Sequence, residues 1–200
     1  MQNEIINTNN ITLRIATIKD AEEILSIYSY YVLNTAISFE WTVPSLQDFS
    51  ERINNTLKKY PYIVAEINKN NQKRIIGYAY AGPFKTRAAY NWSVETSIYV
   101  DKDFRHYGIG KLLLERLEEL LQKQNILNVN ACIAFTEQEN EYLTNDSFKF
   151  HKKMGYTLVG TFHKCGYKFD KWFDMIWMEK MIGVHDEQPP EVQFGSWDIE

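Results

Sequence analysis

The chain has 200 residues, 44% apolar and 14% aromatic, with a formal net charge of −4. That suits one domain with a real core, and it excludes the basic footprint of a nucleic-acid binder. No apolar run approaches the roughly 20 residues of a membrane helix, so no membrane partner is expected.

The first ten residues, MQNEIINTNN, lack the apolar stretch of a secretory leader. Cys132 and Cys165 are far apart and form no metal pattern. A reduced, cytoplasmic protein without a metal is the expectation. Residues 183–200 hold Asp186, Glu187, Glu191, Asp198 and Glu200 and no Lys or Arg. This predicts a flexible acidic tail after a single domain of residues 1–182.

Ile11 to Ile15 reads as a first strand. Thr17, with Asp20 three residues on, resembles a capping box, and Ala21, Ile24, Leu25, Tyr28 and Tyr31 mark one helical face. Ser45 caps a second helix, with Asp48 at its third position and Leu46, Phe49, Ile53 and Leu57 inward. Tyr62 to Ile67 and Ile75 to Ala81 read as paired strands around a polar loop, closed by Gly82-Pro83. Ser93 to Val100 is a strand. From Ile109, the spacing of Leu112, Leu113, Leu117, Leu120 and Leu121 predicts a helix. Asn128 to Phe135 is a strand within which Cys132 reads as inert packing. A polar insert, Thr136 to Thr144, leads to a short helix, Phe148 to Met154, opened by Asn145-Asp146-Ser147. Tyr156 to Phe162 and Trp172 to Met181 are the last strands, with a turn at Cys165-Gly166-Tyr167. The order is β-α-α-β-β-β-α-β-α-β-β, an α+β arrangement.

Between strand and helix lies Arg105-His106-Tyr107-Gly108-Ile109-Gly110. Glycines at a helix mouth let the backbone approach a ligand. The amides up to Lys111 would be unpaired donors at the positive end of the helix dipole, a natural phosphate or pyrophosphate site. The loop is no Walker motif, since G-x-x-x-x-G-K-[S/T] is absent. G-x-G-x-x-G fails as well, because Lys111-Leu112-Leu113 follow Gly110.

Four motifs occur in order: Gly82-Pro83-Phe84-Lys85-x-Arg87, Val94-Glu95-x-Ser97-Ile98-Tyr99-Val100, Arg105-x-x-Gly108-x-Gly110, and Phe150-His151-Lys152-Lys153-Met154-Gly155-Tyr156. A fifth stretch runs from Cys165 to Asp174. Together they resemble the GNAT superfamily of N-acetyltransferases, in its phosphinothricin (methionine sulfone/sulfoximine) acetyltransferase-like branch. The resemblance covers about Ile11 to Ile182.

It implies the GNAT fold, a mixed, mostly antiparallel sheet of about seven strands with helices on both faces, splayed between the fourth and fifth strands. It also implies acetyl-CoA as co-substrate, a small-molecule amine as acceptor, and a homodimer. Pantetheine would pair with Ile98, Tyr99 and Val100. The pyrophosphate would lie on Arg105, His106, Tyr107, Gly108, Ile109, Gly110 and Lys111. Asn145, Ser147 and Lys153 would add contacts, although the insert is longer than the short loop common in relatives. That insert is a candidate for shaping the substrate mouth or a dimer contact.

Acetyl transfer to an amine needs a base, oxyanion donors and a leaving thiolate. Glu95 interrupts an apolar strand, where partial burial raises a carboxyl pKa; it is the candidate base, directly or through a water. The bland alternative is a solvent-facing or ion-paired Glu. His151 stands where relatives often keep a Tyr, and is the candidate to protonate sulfur or orient a water; a packed helix histidine is the alternative. Lys85 and Arg87 are candidates for an acidic substrate group, against plain surface charge. Phe39 and Tyr167 complete the expected acceptor wall.

The resulting expectation is direct acetyl transfer from acetyl-CoA to the amine of a phosphinothricin- or methionine sulfone-like substrate. Acetylation of a polyamine or protein N-terminus, a non-catalytic acyl-CoA-binding module and an ATP-binding protein are the competing readings.

Overall fold

The structure, a computed structural model, describes residues 10–69 and 72–196. Seven strands form one sheet in the order β1-β2-β3-β4-β5-β7-β6. They are β1 (Ile11–Ile15), β2 (Tyr62–Lys69), β3 (Gln72–Pro83), β4 (Ser93–Val100), β5 (Asn128–Phe135), β6 (Thr157–Lys168) and β7 (Lys171–Met181). The helices are α1 (Ala21–Asn34), α2 (Leu46–Leu57), α3 (Ile109–Lys123) and α4 (Asp146–Lys153). No helix among the described residues is long and apolar enough to cross a membrane.

Alternation along the strands sends side chains to two faces, each with its own core. On one face, α3 buries Leu113, Leu114, Leu117, Leu120 and Leu121 against Ile63, Ile76, Ala79 and Val94. On the other, α1 and α2 bury Ile24, Tyr28, Tyr31, Phe49 and Ile53 against Tyr62, Val64 and Tyr78. Tyrosines pave this second face. Tyr62 stacks on Tyr80 at 4.9 Å and Tyr78 on Tyr99 at 5.2 Å, while Tyr28 meets Tyr99 edge-on at 5.2 Å. Such pairs contribute about 0.5–1.5 kcal/mol each beyond their burial. The Ser45 cap on Asp48 and the Thr17–Asp20 capping box are both formed.

All pairings are antiparallel except β4 with β5. That parallel pair is short: Ser93↔Asn128, Val94↔Val129 and Glu95↔Asn130. Beyond Glu95 the two strands diverge, so the β4 edge from Thr96 onward is open to another chain or a ligand.

Three expectations are corrected. β3 runs through Pro83 rather than closing at Gly82. Cys165, Gly166 and Tyr167 lie within β6, and the chain turns instead at Phe169 and Asp170, both left-handed with φ 51° and 55°. Gly166 serves close approach: a Cβ there would lie 2.4 Å from the Phe39 ring. Finally, residues 183–196 are seated on the body rather than free. Trp92 Nε1 donates to Pro190 O at 2.7 Å, Asn125 Nδ2 to Glu191 O at 2.8 Å, and the Gly195 amide to Lys59 O at 3.1 Å. Phe194 meets Tyr60 edge-on at 5.5 Å. Hydrogen bonds to and from the main chain of the tail do not depend on its acidic side chains. Trp197 lies outside the described residues.

Candidate active site

A cleft opens where β4 and β5 part. Thr96, Ser97, Ile98 and Tyr99 line one wall, and Ala131, Cys132, Ile133 and Ala134 the other, with Ile37, Ser147 and His151 above them. Side chains seal its closed end. Thr96 Oγ1 donates to Asn130 O at 3.2 Å, and Asn130 Nδ2 donates to Val94 O at 3.0 Å. Both residues are buried.

Glu95 stands at this closed end, half-buried and in register with Asn130. Burial pushes its carboxyl above the usual carboxylate range, and the positive charge of Lys85 pulls it partway back. Cys132 is solvent-exposed, not packed inside as its apolar neighbours suggested. Desolvation first, then the negative charge of Glu95, push its thiol up to about 12. A thiol held neutral is a poor nucleophile.

At the other end of β4, the Arg105–Lys111 loop turns into α3. His106 and Gly108 are left-handed, φ 66° and 80°, a conformation that costs glycine little. The first helical bond runs from the Leu112 amide to Gly108 O at 3.1 Å, so the amides just before it precede the helix's own ladder. Ile109 is buried in the core and Tyr107 packs against it, while His106 and Lys111 are exposed. The Arg105 guanidinium lies over the Tyr30 and Tyr31 rings at 5.5 and 5.1 Å. Its Nη2 is buried without a partner. A buried, unpaired guanidinium nitrogen beside amides that precede the helix ladder fits a pyrophosphate. The Tyr31 hydroxyl donates to Val100 O, anchoring the end of β4 to α1.

His151 is 3% exposed. Its Nδ1 sits 2.8 Å from Ser147 O, so Nδ1 carries the proton and Nε2 is an acceptor. Burial lowers its pKa, which keeps the ring neutral. Asn145 is committed to structure: its Nδ2 donates to Thr136 O at 2.8 Å, and its Oδ1 accepts from the Thr136 amide at 3.3 Å. Lys153 is exposed on the last turn of α4.

The residues expected at the acceptor come from distant segments. Lys85 Nζ lies 4.8 Å from the Phe84 ring and 5.4 Å from the Trp177 ring, and its charge is felt at Glu95. Arg87 is exposed and opens a 3-10 turn at Ala88–Tyr90. Phe39 packs toward Phe173, ring centroids 6.5 Å apart. Tyr167 is exposed, with Trp172 at 5.0 Å and Trp41 at 6.3 Å. The polar insert docks here too: the Ala36 amide donates to Tyr142 O at 2.9 Å, and Leu143 is buried with Ala36 and Phe173.

One residue that sequence reasoning missed holds this wall. Lys168 is 3% exposed. Its ammonium donates to Val32 O at 2.7 Å, Thr35 O at 2.9 Å and Ser38 O at 2.7 Å. All three protons are spent on carbonyls of the α1 end and the loop after it. Desolvation lowers its pKa, opposed by the charge of Glu40.

Residues 13–177 match the family model described as an acetyltransferase (GNAT) domain. The phosphinothricin N-acetyltransferase of Streptomyces viridochromogenes is 31% identical over 82% of this chain and 84% of its own. The L-methionine sulfoximine/L-methionine sulfone acetyltransferase of Salmonella typhimurium is 27% identical over 88% of this chain and 97% of its own. Among solved structures, a GNAT superfamily phosphinothricin acetyltransferase from Sinorhizobium meliloti in complex with AcCoA superposes with a TM-score of 0.77. It is 32% identical and covers 87% of this chain and 89% of that one. The family match over residues 13–177, on a sheet that splits between β4 and β5, shows that the chain belongs to the GNAT family of acetyltransferases.

Proposed function

We propose that this enzyme transfers the acetyl group of acetyl-CoA directly to the amine of a small amino-acid-like substrate, of the phosphinothricin or methionine sulfone type. The observation that carries the reading is Glu95: a carboxylate raised by burial at the closed end of a cleft whose far end offers an unpaired guanidinium and free amides. Acetyl-CoA supplies an activated acyl group. Arg105 and the amides of residues 106–111 hold its pyrophosphate, and the open β4 edge at Ile98 to Val100 receives the pantetheine. Ser147 and Lys153, both on α4, flank it, and Asn145 ties the start of that helix to the end of β5.

Glu95 takes the proton that the ammonium must lose before it can attack, and its raised pKa makes it a better base than an exposed carboxylate. His151, neutral with a lone pair on Nε2, orients a donor rather than giving up a proton. The departing sulfur needs no acid, since thiol pKa values lie near ~8.5. Lys85 and Arg87 attract the acceptor's acidic group, while Phe39 and Tyr167 wall it in. The two unpaired thiols suit the cytoplasm. Exposed Leu158, Val159 and Phe162 on edge strand β6 suit burial against a second copy, a state that light scattering reads directly.

A thiol-release assay tests the reaction. Acetyl-CoA is offered with phosphinothricin, methionine sulfone, methionine sulfoximine, the common amino acids and spermidine. Release with the first three is expected. Release with spermidine alone would keep the enzyme and discard the acidic acceptor.

A further inference from the structure

An exposed amine stands beside the cleft. Lys85 ends on the face of the sheet that carries Glu95 and Cys132. Its Nζ is 5.4 Å from the Trp177 ring, and Trp177 is the β7 residue paired directly with Cys132 on β5. Cys132 lines the cleft. The side chain is exposed, and its flexible four-carbon stem ends over two ring faces. Its charge reaches both Glu95 and Cys132. Lys168 differs in every respect: buried, with each ammonium proton given to a carbonyl, it has no route to a lone pair. Lys111 and Lys153 are exposed at the cofactor end, away from the base.

We propose that Lys85 is a self-acetylation site, an internal acceptor used when no amine substrate occupies the cleft. The inference rests on the acetyl-transfer reading above. Lys85 Nζ gives a proton to the Glu95 carboxylate and attacks the thioester carbonyl. A C–N amide bond forms, the C–S bond breaks with its electron pair going to sulfur, and the second proton of the nitrogen passes to that sulfur, so that coenzyme A leaves as the thiol. The product has lost the cation that holds the Glu95 pKa down and one of the two cations facing an acidic acceptor. Self-acetylation therefore slows the enzyme when acetyl-CoA accumulates without acceptor, and a substrate amine protects against it by filling the space.

The full chain, incubated with acetyl-CoA and no acceptor, is digested and mapped by mass spectrometry against a Glu95→Gln and a Lys85→Arg variant. The expected result is one dominant acetyl adduct on Lys85. It is suppressed by methionine sulfone, absent in Glu95→Gln, and not transferred to another residue in Lys85→Arg. Adducts spread over Lys111, Lys153 and other surface lysines, or an adduct on Lys85 that persists in Glu95→Gln, would mean chemical acylation and overturn the proposal. So would an unmodified Lys85 in a preparation that releases thiol with an added amine, which leaves the enzymatic reading standing. No thiol release with any amine would remove both.

Discussion

The two ends of the cleft are built in opposite ways. The proposed donor end is one contiguous stretch, residues 105–111, whose chemistry lies mostly in the backbone: two left-handed residues and the amides ahead of the helix ladder, joined by one unpaired guanidinium. The proposed acceptor end draws on Phe39, Lys85, Leu143, Gly166, Lys168 and Phe173, from five parts of the chain, and its chemistry lies in side chains. A backbone-built site is local and tolerates drift in its surroundings. A side-chain-built site depends on how distant elements are held together, and is the place where relatives can change acceptors without changing donors.

The sharpest way to break this contrast is Gly110→Asp. A Cβ there meets the Phe150 ring at an ordinary 3.5 Å, and an acidic residue in the first turn favours the helix. The fold should survive, yet like charge at the pyrophosphate should weaken acetyl-CoA at least about 100-fold, or roughly 2.7 kcal/mol. Calorimetric titration checks it. Glu95→Gln should lower kcat by about 10²–10⁴ with acetyl-CoA affinity unchanged, the range expected for a lost general base. Full activity in that variant would mean that Glu95 is not the base.

Lys168→Met removes the donor shared by three buried carbonyls, at about 1–3 kcal/mol for each group left unsatisfied. Melting temperature should fall. In the surviving protein the amine KM should rise about tenfold, or ~1.4 kcal/mol, while the acetyl-CoA KM stays put. Equal rises in both would show that the two ends are not independent. Lys85→Met removes the charge that lowers the Glu95 pKa. Because Glu95 must be unprotonated to act, the acid limb of kcat/KM should move to higher pH. An unmoved limb would separate Lys85 from the base. The smallest effect belongs to Arg87→Ala, which should raise KM for a carboxylate-bearing acceptor about two- to threefold more than for its amide, within the ~0–1 kcal/mol expected for an exposed ion pair.

How much could be read from the sequence follows the same division. Strand, loop and helix from Ser93 to Lys123 are legible because period-two and period-3.6 patterns meet at two glycines. Gly166 was read as a turn because sequence does not distinguish a glycine that bends the chain from one that makes room for a ring. The true turn, Phe169-Asp170, contains no glycine at all. Lys168 carried no signal, since a lysine near a hairpin is ordinarily on the surface. Nothing in the sequence signals that the Asn145 side chain ties α4 to the end of β5. The tail looked disordered by composition, but its bonds are made by its partners' side chains, Trp92, Asn125 and Gln124, which no reading of the tail itself contains.

That last arrangement has a consequence for cooperativity. Gln124 is fully buried, and its side-chain NH2 is shared between Lys59 O at 2.8 Å and Gln193 O at 3.2 Å, while its main-chain carbonyl accepts the Gln193 amide at 3.0 Å. The chain near its C-terminal end is thus one strand of a knot that also holds the α2–β2 connection and the end of α3. Peeling it away requires opening both. Hydrogen exchange at the Gln193 and Gly195 amides should therefore follow the slow, sub-global opening of the body rather than the fast fraying usual for the last residues of a chain.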